Sequence, residues 1–278
     1  MNLNGTDRMT IIYNLVVVFF VLVFWKKISL QAYHITFNLS VIFIILLLSL
    51  NRRNHATFFI MSLWYPLVLY AFLHYQSGML NTVVIPRFLD DFFLNLDVKI
   101  FGKFPAFYLR GENGNLFLDE FFHFAYANYY IVIPMTAFLL YPKDKKLFER
   151  FVYEISILFY VCFLIYIFLP VEGPLKLRHD YFQGGGLFKA IVDYFYAKGD
   201  NAGGAFPSSH VAVTFLVAWW AHNHLGRLKI YYWSVLFFLS IATVYCMFHY
   251  AVDIIAGWLV AVLFIYLFNR TAKKALSA

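Results

Sequence analysis

Stretches of about 20 apolar residues, nearly empty of charge, recur along this 278-residue chain, and each is long enough to carry a helix across a bilayer. Between polar breaks they fall near 10–28, 34–50, 57–75, 123–141, 151–169, 210–225, 230–248 and 250–268. Inside hydrocarbon a backbone must satisfy its own amides, and runs of this length do so as helices. The expected fold class is therefore all-α, a polytopic integral membrane protein with about eight transmembrane helices. Composition leaves no room for a soluble domain: 62% of the residues are hydrophobic and 13% charged, against about 25% charged in an average soluble domain. Residues 1–278 read as a single membrane domain without an internal repeat. The first run ends at Trp25, Lys26 and Lys27 with no small-residue cleavage site behind it, so a retained helix is expected there rather than a signal peptide.

Charge gives the orientation. With eight crossings, both chain ends share one side with the loops near 51–56, 142–150 and 222–229. That side holds 12 of the 22 lysines and arginines, among them Arg52, Arg53, Lys143, Arg150, Lys273 and Lys274, in about 42 residues. The positive-inside rule puts it in the cytoplasm and the long loops 76–122 and 170–209 on the outer face, although Lys26 and Lys27 run against the bias. Small size and short tails point to a bacterial inner (plasma) membrane. The net charge of +7 does not indicate nucleic acid, because the basic residues sit at the ends of apolar runs, where lipid headgroups and topology account for them. Cys162 and Cys246 lie inside apolar runs and read as buried thiols, not a disulfide framework.

The outer loops carry helices of their own. Leu89, Phe92, Phe93, Leu96 and Ile100 follow helical spacing, with Asp90, Asp91, Asn95, Asp97 and Lys99 on the other face, as in a helix lying in the interface. Phe188, Ile191, Val192 and Phe195, between Lys189, Asp193 and Lys198, predict a second.

Ionisable residues at a membrane edge are costly and mark candidate chemistry. Asp253 is the only acidic residue after Asp200, and His249 lies four residues before it, one helical turn away. A carboxylate so placed fixes the imidazole tautomer and leaves the other ring nitrogen to act. The alternative for this pair is a polar contact that locks helices together. Upstream, GGAFPSSH at 203–210 leads into an apolar run, so a helix N-terminus is expected there. Its amides and the hydroxyls of Ser208 and Ser209 suit an anion such as phosphate, with His210 beside them; plain capping is the alternative for the serines. His210 opens an inward run and His249 closes the return, so both face the same side. LPVEGPLKLR at 169–178 emerges there too, offering Lys176 and Arg178 as phosphate clamps and Glu172 as an acid–base group.

PSSH at 207–210 followed by HYAVD at 249–253 resembles the second and third motifs of the type 2 phosphatidic acid phosphatase superfamily. The resemblance implies a six-helix phosphatase-like core, about 96–268 here, with the helices of 1–80 as an addition. It implies His249 as nucleophile, forming a phosphohistidine, Asp253 as its orienting partner, and His210 as general acid and then base. No metal or cofactor is implied. Two departures stand out: Thr243 and Ala242 replace the arginine and serine that precede the third motif, and the first motif is missing. Lys143 and Arg150 have its spacing, but Phe151 follows and the loop is cytoplasmic. Those losses resemble the branch that holds inositol phosphorylceramide synthase and the sphingomyelin synthases. That branch implies transfer of a phospho-headgroup from a donor phospholipid to ceramide or diacylglycerol; a lipid phosphate phosphatase, with water as acceptor, is the alternative.

The remaining histidines, His34, His55, His74, His179, His222 and His224, read as interfacial or loop residues, and His222 with His224 lacks a third ligand for a metal. His123, beside Asp119 and Glu120 at the outer end of a run, is a candidate for the acceptor pocket. A transporter using His249 and Asp253 as a proton relay is the competing class, but its charges belong near mid-membrane in broken, repeated helices.

Overall fold

The apolar runs become helices, and Asn4, Asn115, Asp144 and Ser208 cap four of them. A computed structural model describes residues 3–52, 55–111, 114–199 and 202–277. Arg53 and the side chains of Lys198, Lys273 and Lys274 lie outside the described residues. Eight helices of 16 residues or more follow one another in alternating direction: α1 (Gly5–Val23), α2 (Gln31–Asn51), α3 (Ala56–Leu80), α6 (Leu116–Leu140), α7 (Lys145–Phe168), α10 (Ser209–His224), α11 (Lys229–Tyr245) and α12 (Ala251–Ser277). Four shorter ones, α4 (Asp90–Phe101), α5 (Pro105–Arg110), α8 (Leu175–Tyr181) and α9 (Leu187–Gly199), occupy the two long loops.

Among the described residues, six helices are long and apolar enough to cross a membrane: α1, α2, α3, α7, α11 with the short turn before it, and α12. Of the eight runs expected to cross, the other two give α6 and α10. α10 has only 16 residues, and α6 carries Asp119, Glu120, His123 and Asn128 among its apolar positions.

Helix starts also differ from the hydropathy reading, all but that of α12 toward the N-terminus. α1 starts at Gly5, not near residue 10, because Asn4 and Asp7 form a reciprocal capping box with bonds of 2.8 and 3.0 Å. Asn115 and Asp144 likewise accept from the first amides of α6 and α7, drawing their polar first turns into the helices.

The helices are joined by hydrogen bonds inside the bundle, where such a bond has no competing water. Thr10 meets Tyr160 at 2.7 Å, Tyr70 meets Ser156 at 2.8 Å, and Thr136 donates to Tyr232 at 2.8 Å. Trp220 Nε1 donates to Glu154 at 2.9 Å, and Arg150 pairs with the same carboxylate. Arg52 pairs with buried Asp7, and Lys143 Nζ donates to the His224 carbonyl, so the basic loops gather at one end of the bundle. The starts of α10 and α12 lie at the opposite end, under α4, α5, α8 and α9. Both cysteines are buried and free.

α12 crosses the start of α10 so closely that only glycine fits at residue 257. A Cβ there would lie 2.7 Å from the Ser208 carbonyl oxygen, a backbone atom that cannot step aside. Gly257→Leu is therefore expected to lower the melting temperature in detergent, at a cost of about 1–3 kcal/mol. Gly184→Ala, where an added Cβ meets nothing within 4 Å, is expected to leave it unchanged.

Candidate active site

Between α11 and α12 the chain turns sharply, with Met247 in the left-handed region at φ 57°. The amides of Phe248 and His249 both donate to the Thr243 carbonyl at 3.0 Å, which fixes the direction of the His249 ring. Its Nδ1 lies 3.0 Å from the Ala205 carbonyl oxygen and 3.4 Å from Asp253 Oδ2. Both neighbours are acceptors, so Nδ1 carries the hydrogen and the lone pair resides on Nε2. Nε2 faces Ser208 Oγ at 3.2 Å and His210 Nδ1 at 3.3 Å. His210 Nε2 in turn lies 2.9 Å from the Tyr126 hydroxyl, and the Tyr129 ring flanks it with centroids 4.3 Å apart. The sequence placed His249 and Asp253 one turn apart on one helix. The pairing comes instead from the turn: His249 precedes α12, and Asp253 Oδ2 accepts from the Tyr250 amide at 2.9 Å.

The start of α10 is less open to an anion than its sequence suggested. Ser208 N donates to the Asp253 carbonyl, Ser209 N to the Tyr166 hydroxyl, and Val211 N to Ser208 Oγ. These amides are occupied in building the site. A short parallel bridge joins Val171 to Gly204 and brings the loop after α7 alongside the loop before α10. Gly173 sits there with φ 84°, and a Cβ on it would lie 2.3 Å from the Phe248 carbonyl oxygen, so that crossing requires glycine.

α4 supplies two residues that sequence reasoning assigned to a solvated face. Asp90 accepts from the amides of Glu172 and Gly173 at 3.0 and 2.8 Å and from the Tyr250 hydroxyl at 3.1 Å. Asp97 is fully buried and accepts from the amides of Ala251 and Val252, both at 2.9 Å, capping α12 from another helix. Burial lifts the Asp97 carboxyl above the ordinary carboxylate range, with the two amides pulling it back. The missed signal was spacing: Asp90, Phe93 and Asp97 stand at i, i+3 and i+7, one stripe of a helix.

The other candidates divide. Glu172 lines a small cavity together with His74, Tyr126, Tyr196, His210 and His249. Ser208 touches His249, and Ser209 is buried beside Tyr166. Lys176 is 86% exposed and pairs with Glu172 at 3.6 Å, outside the cavity. Arg178 also lies outside it: Nη2 reaches Asp193 at 2.6 Å and His123 Nε2 at 2.9 Å, and the guanidinium covers the Phe248 ring. Burial alone would raise the Asp193 carboxyl, but Lys189 and Arg178 outweigh it and hold it below the ordinary range. His123 does not line the cavity; it braces Arg178 and contacts the Asp119 carbonyl. Among the described residues no lysine or arginine lines the cavity. His74, read from sequence as interfacial, reaches the site from α3, 3.1 Å from where a Cβ on Gly204 would stand. A lone histidine in an apolar run gave no signal of this.

A family model described as the PAP2 superfamily matches residues 91–267. The chain belongs to the PAP2 superfamily. Comparison with curated proteins and with solved structures finds no match. The PAP2 match takes in α4 from its second residue and ends in α12, so it spans His210, His249, Asp253 and Asp97 and leaves out α1–α3 with His74.

Asp97→Ala leaves two amides at the start of α12 without their acceptor. It is expected to cost about 1–3 kcal/mol in thermal unfolding and to reduce turnover without touching substrate. Asp97→Asn, which keeps one acceptor, is expected to lose less of both in the same assays.

Proposed function

We propose that this protein is a membrane lipid phosphotransferase, moving a phosphoinositol-like headgroup from a donor phospholipid to ceramide or diacylglycerol through a phosphohistidine. The observation that carries the reading is the His249 ring, whose Nδ1–H is held by two oxygens while Nε2 faces His210. In the first half-reaction Nε2 attacks phosphorus and the bond to the lipid alcohol breaks, His210 giving its proton to the leaving oxygen. In the second, the acceptor hydroxyl loses its proton to His210, its oxygen bonds to phosphorus, and the P–N bond breaks. The 3.3 Å contact between the two rings opens as the phosphoryl group enters. Asp253 stabilises the charge that develops on the His249 ring. Glu172 and Ser208 border the phosphate; Arg178 and Lys176 act on it from outside the cavity through their field.

Charge supports transfer over hydrolysis of a phosphate monoester. A monoester carries about 1.5 to 2 negative charges near neutral pH, whereas a diester carries one. A cavity bordered by histidines, tyrosines and Glu172, with no lysine or arginine among its described lining, suits the diester. Thr243, at the position of the superfamily's arginine, is fully buried and serves through its carbonyl to hold His249.

All eight long helices are read as crossing the membrane, the chain ends in the cytoplasm and the catalytic residues at the periplasmic face of a bacterial inner membrane. The gathering of Arg52, Lys143 and Arg150 at the end away from His249 supports this orientation.

The test gives purified protein a radiolabelled phosphoinositol lipid with and without ceramide or diacylglycerol. A new labelled lipid that requires the acceptor is expected, and His249→Ala is expected to lose it entirely, with His210→Ala slowed about 100-fold or more. Free phosphate released from simple lipid phosphates regardless of acceptor establishes the phosphatase instead, and a fully active His249→Ala protein overturns both.

A further inference from the structure

A second, larger cavity of about 390 Å³ lies directly beneath the catalytic one, within the range of small-ligand sites. His74, Tyr126, Tyr196 and His210 border both, so the two adjoin across these four side chains. Away from that mouth its walls are apolar, with Leu67 and Ala71 on α3, Ile133 on α6, and Phe159 and Phe163 on α7. From His74 to Leu67 it follows α3 for about 10 Å into the bundle, at 1.5 Å per residue. Farther along, α3 and α6 close on each other where the rings of Trp64 and Phe138 stand 4.6 Å apart. The space is thus a cleft that runs from His210 toward the Trp64–Phe138 contact. His210 borders it and His249 does not.

We infer that this cleft holds a hydrocarbon chain of the lipid alcohol that leaves phosphorus and of the one that replaces it, with α3 as its wall and the Trp64–Phe138 contact as its floor. The inference rests on the phosphohistidine reading in one respect: the leaving and entering oxygens depart and arrive opposite the nucleophile, on the side of the general acid. A cleft bordered by His210 and not by His249 serves that side. Both half-reactions then use one alcohol site in turn, and chain length is measured against the distance from His210 to Trp64. α3 lies outside the family match, so this specificity belongs to the N-terminal helices of this chain.

Ala71 is exposed to the cleft and touches none of the reacting groups, so Ala71→Phe fills it without disturbing the bundle. Expected is a loss of about tenfold or more in kcat/KM on a long-chain phosphoinositol lipid, with a short-chain analogue of the same headgroup within about twofold of wild type. Equal losses on both, or none on either, overturn the inference. Independently of turnover, a lipid carrying a photoreactive group at its chain end is expected to label residues 67–71 and 159–163. Labelling confined to Trp258 and the α11–α12 surface overturns it. Labelled α3 in a protein that turns over no lipid retains the chain site and removes the catalytic reading. Turnover with label elsewhere does the reverse.

Discussion

One N–H, that of His249 Nδ1, has two oxygen acceptors, and the surrounding loops are arranged so that both reach it. The Ala205 carbonyl comes from the loop before α10, and the Asp253 carboxylate from the first turn of α12. Each needs its own support. The Val171–Gly204 bridge steadies the first, and Asp90 steadies the loop that forms the bridge. Asp97 caps the helix that carries the second, and Asp253 in turn accepts from the Tyr250 amide. A buried carboxylate is costly unless its lone pairs are met. Here the first amides of α12 meet both oxygens of Asp97, and the Tyr250 amide and His249 meet Oδ2 of Asp253, whose Oδ1 has no hydrogen-bond partner among the described residues.

Much of this could be read from the sequence, and the rest was hidden for physical reasons. Apolar length exposed the long helices because a bilayer demands about 20 residues. The histidine and aspartate of the third motif, with PSSH, pointed to side chains that the structure brings into contact. What periodicity did not show is that His249 stands in a turn, since a spacing of four looks the same in a helix and in a cap with its preceding turn. Asp90 and Asp97 were assigned to water because charge usually faces it. The loop amides that Asp90 holds and the helix-start amides that Asp97 caps belong to chain segments 82 and 154 residues away, and neither pairing can be read from local sequence. His74 lies 136 residues before His210 in the chain and belongs to no motif.

The N-terminal helices illustrate how a core is modified by packing against it. α3 lies on α7 through Tyr70 and Phe159, whose rings stand 4.5 Å apart, while α1 is tied to α7 by Thr10 and Tyr160. α6 meets α3 toward the basic end through Trp64. Nearer His210 an apolar cleft lies between them. Helices packed against the family core thus shape the space beside His210 without altering the His249–Asp253 contact.

The cations explain why so lipophilic a chain keeps Arg178 near the site yet not in it. Its guanidinium is paired to Asp193 and hydrogen-bonded to His123, and it lies 4.5 Å from the centre of the Phe248 ring, one residue before His249. Such a group is worth more as a brace than as a clamp: the ion pair removes most of its net charge, while the ring contact and the hydrogen bonds fix the catalytic turn from behind. Lys189 restores one positive charge to the cluster through Asp193. The cavity is thus lined by histidines, tyrosines and Glu172, with a modest positive field beyond them. Under the transfer reading proposed above, that balance suits a singly charged diester whose transition state gains little charge, and it leaves the proton on His210 to decide which oxygen departs.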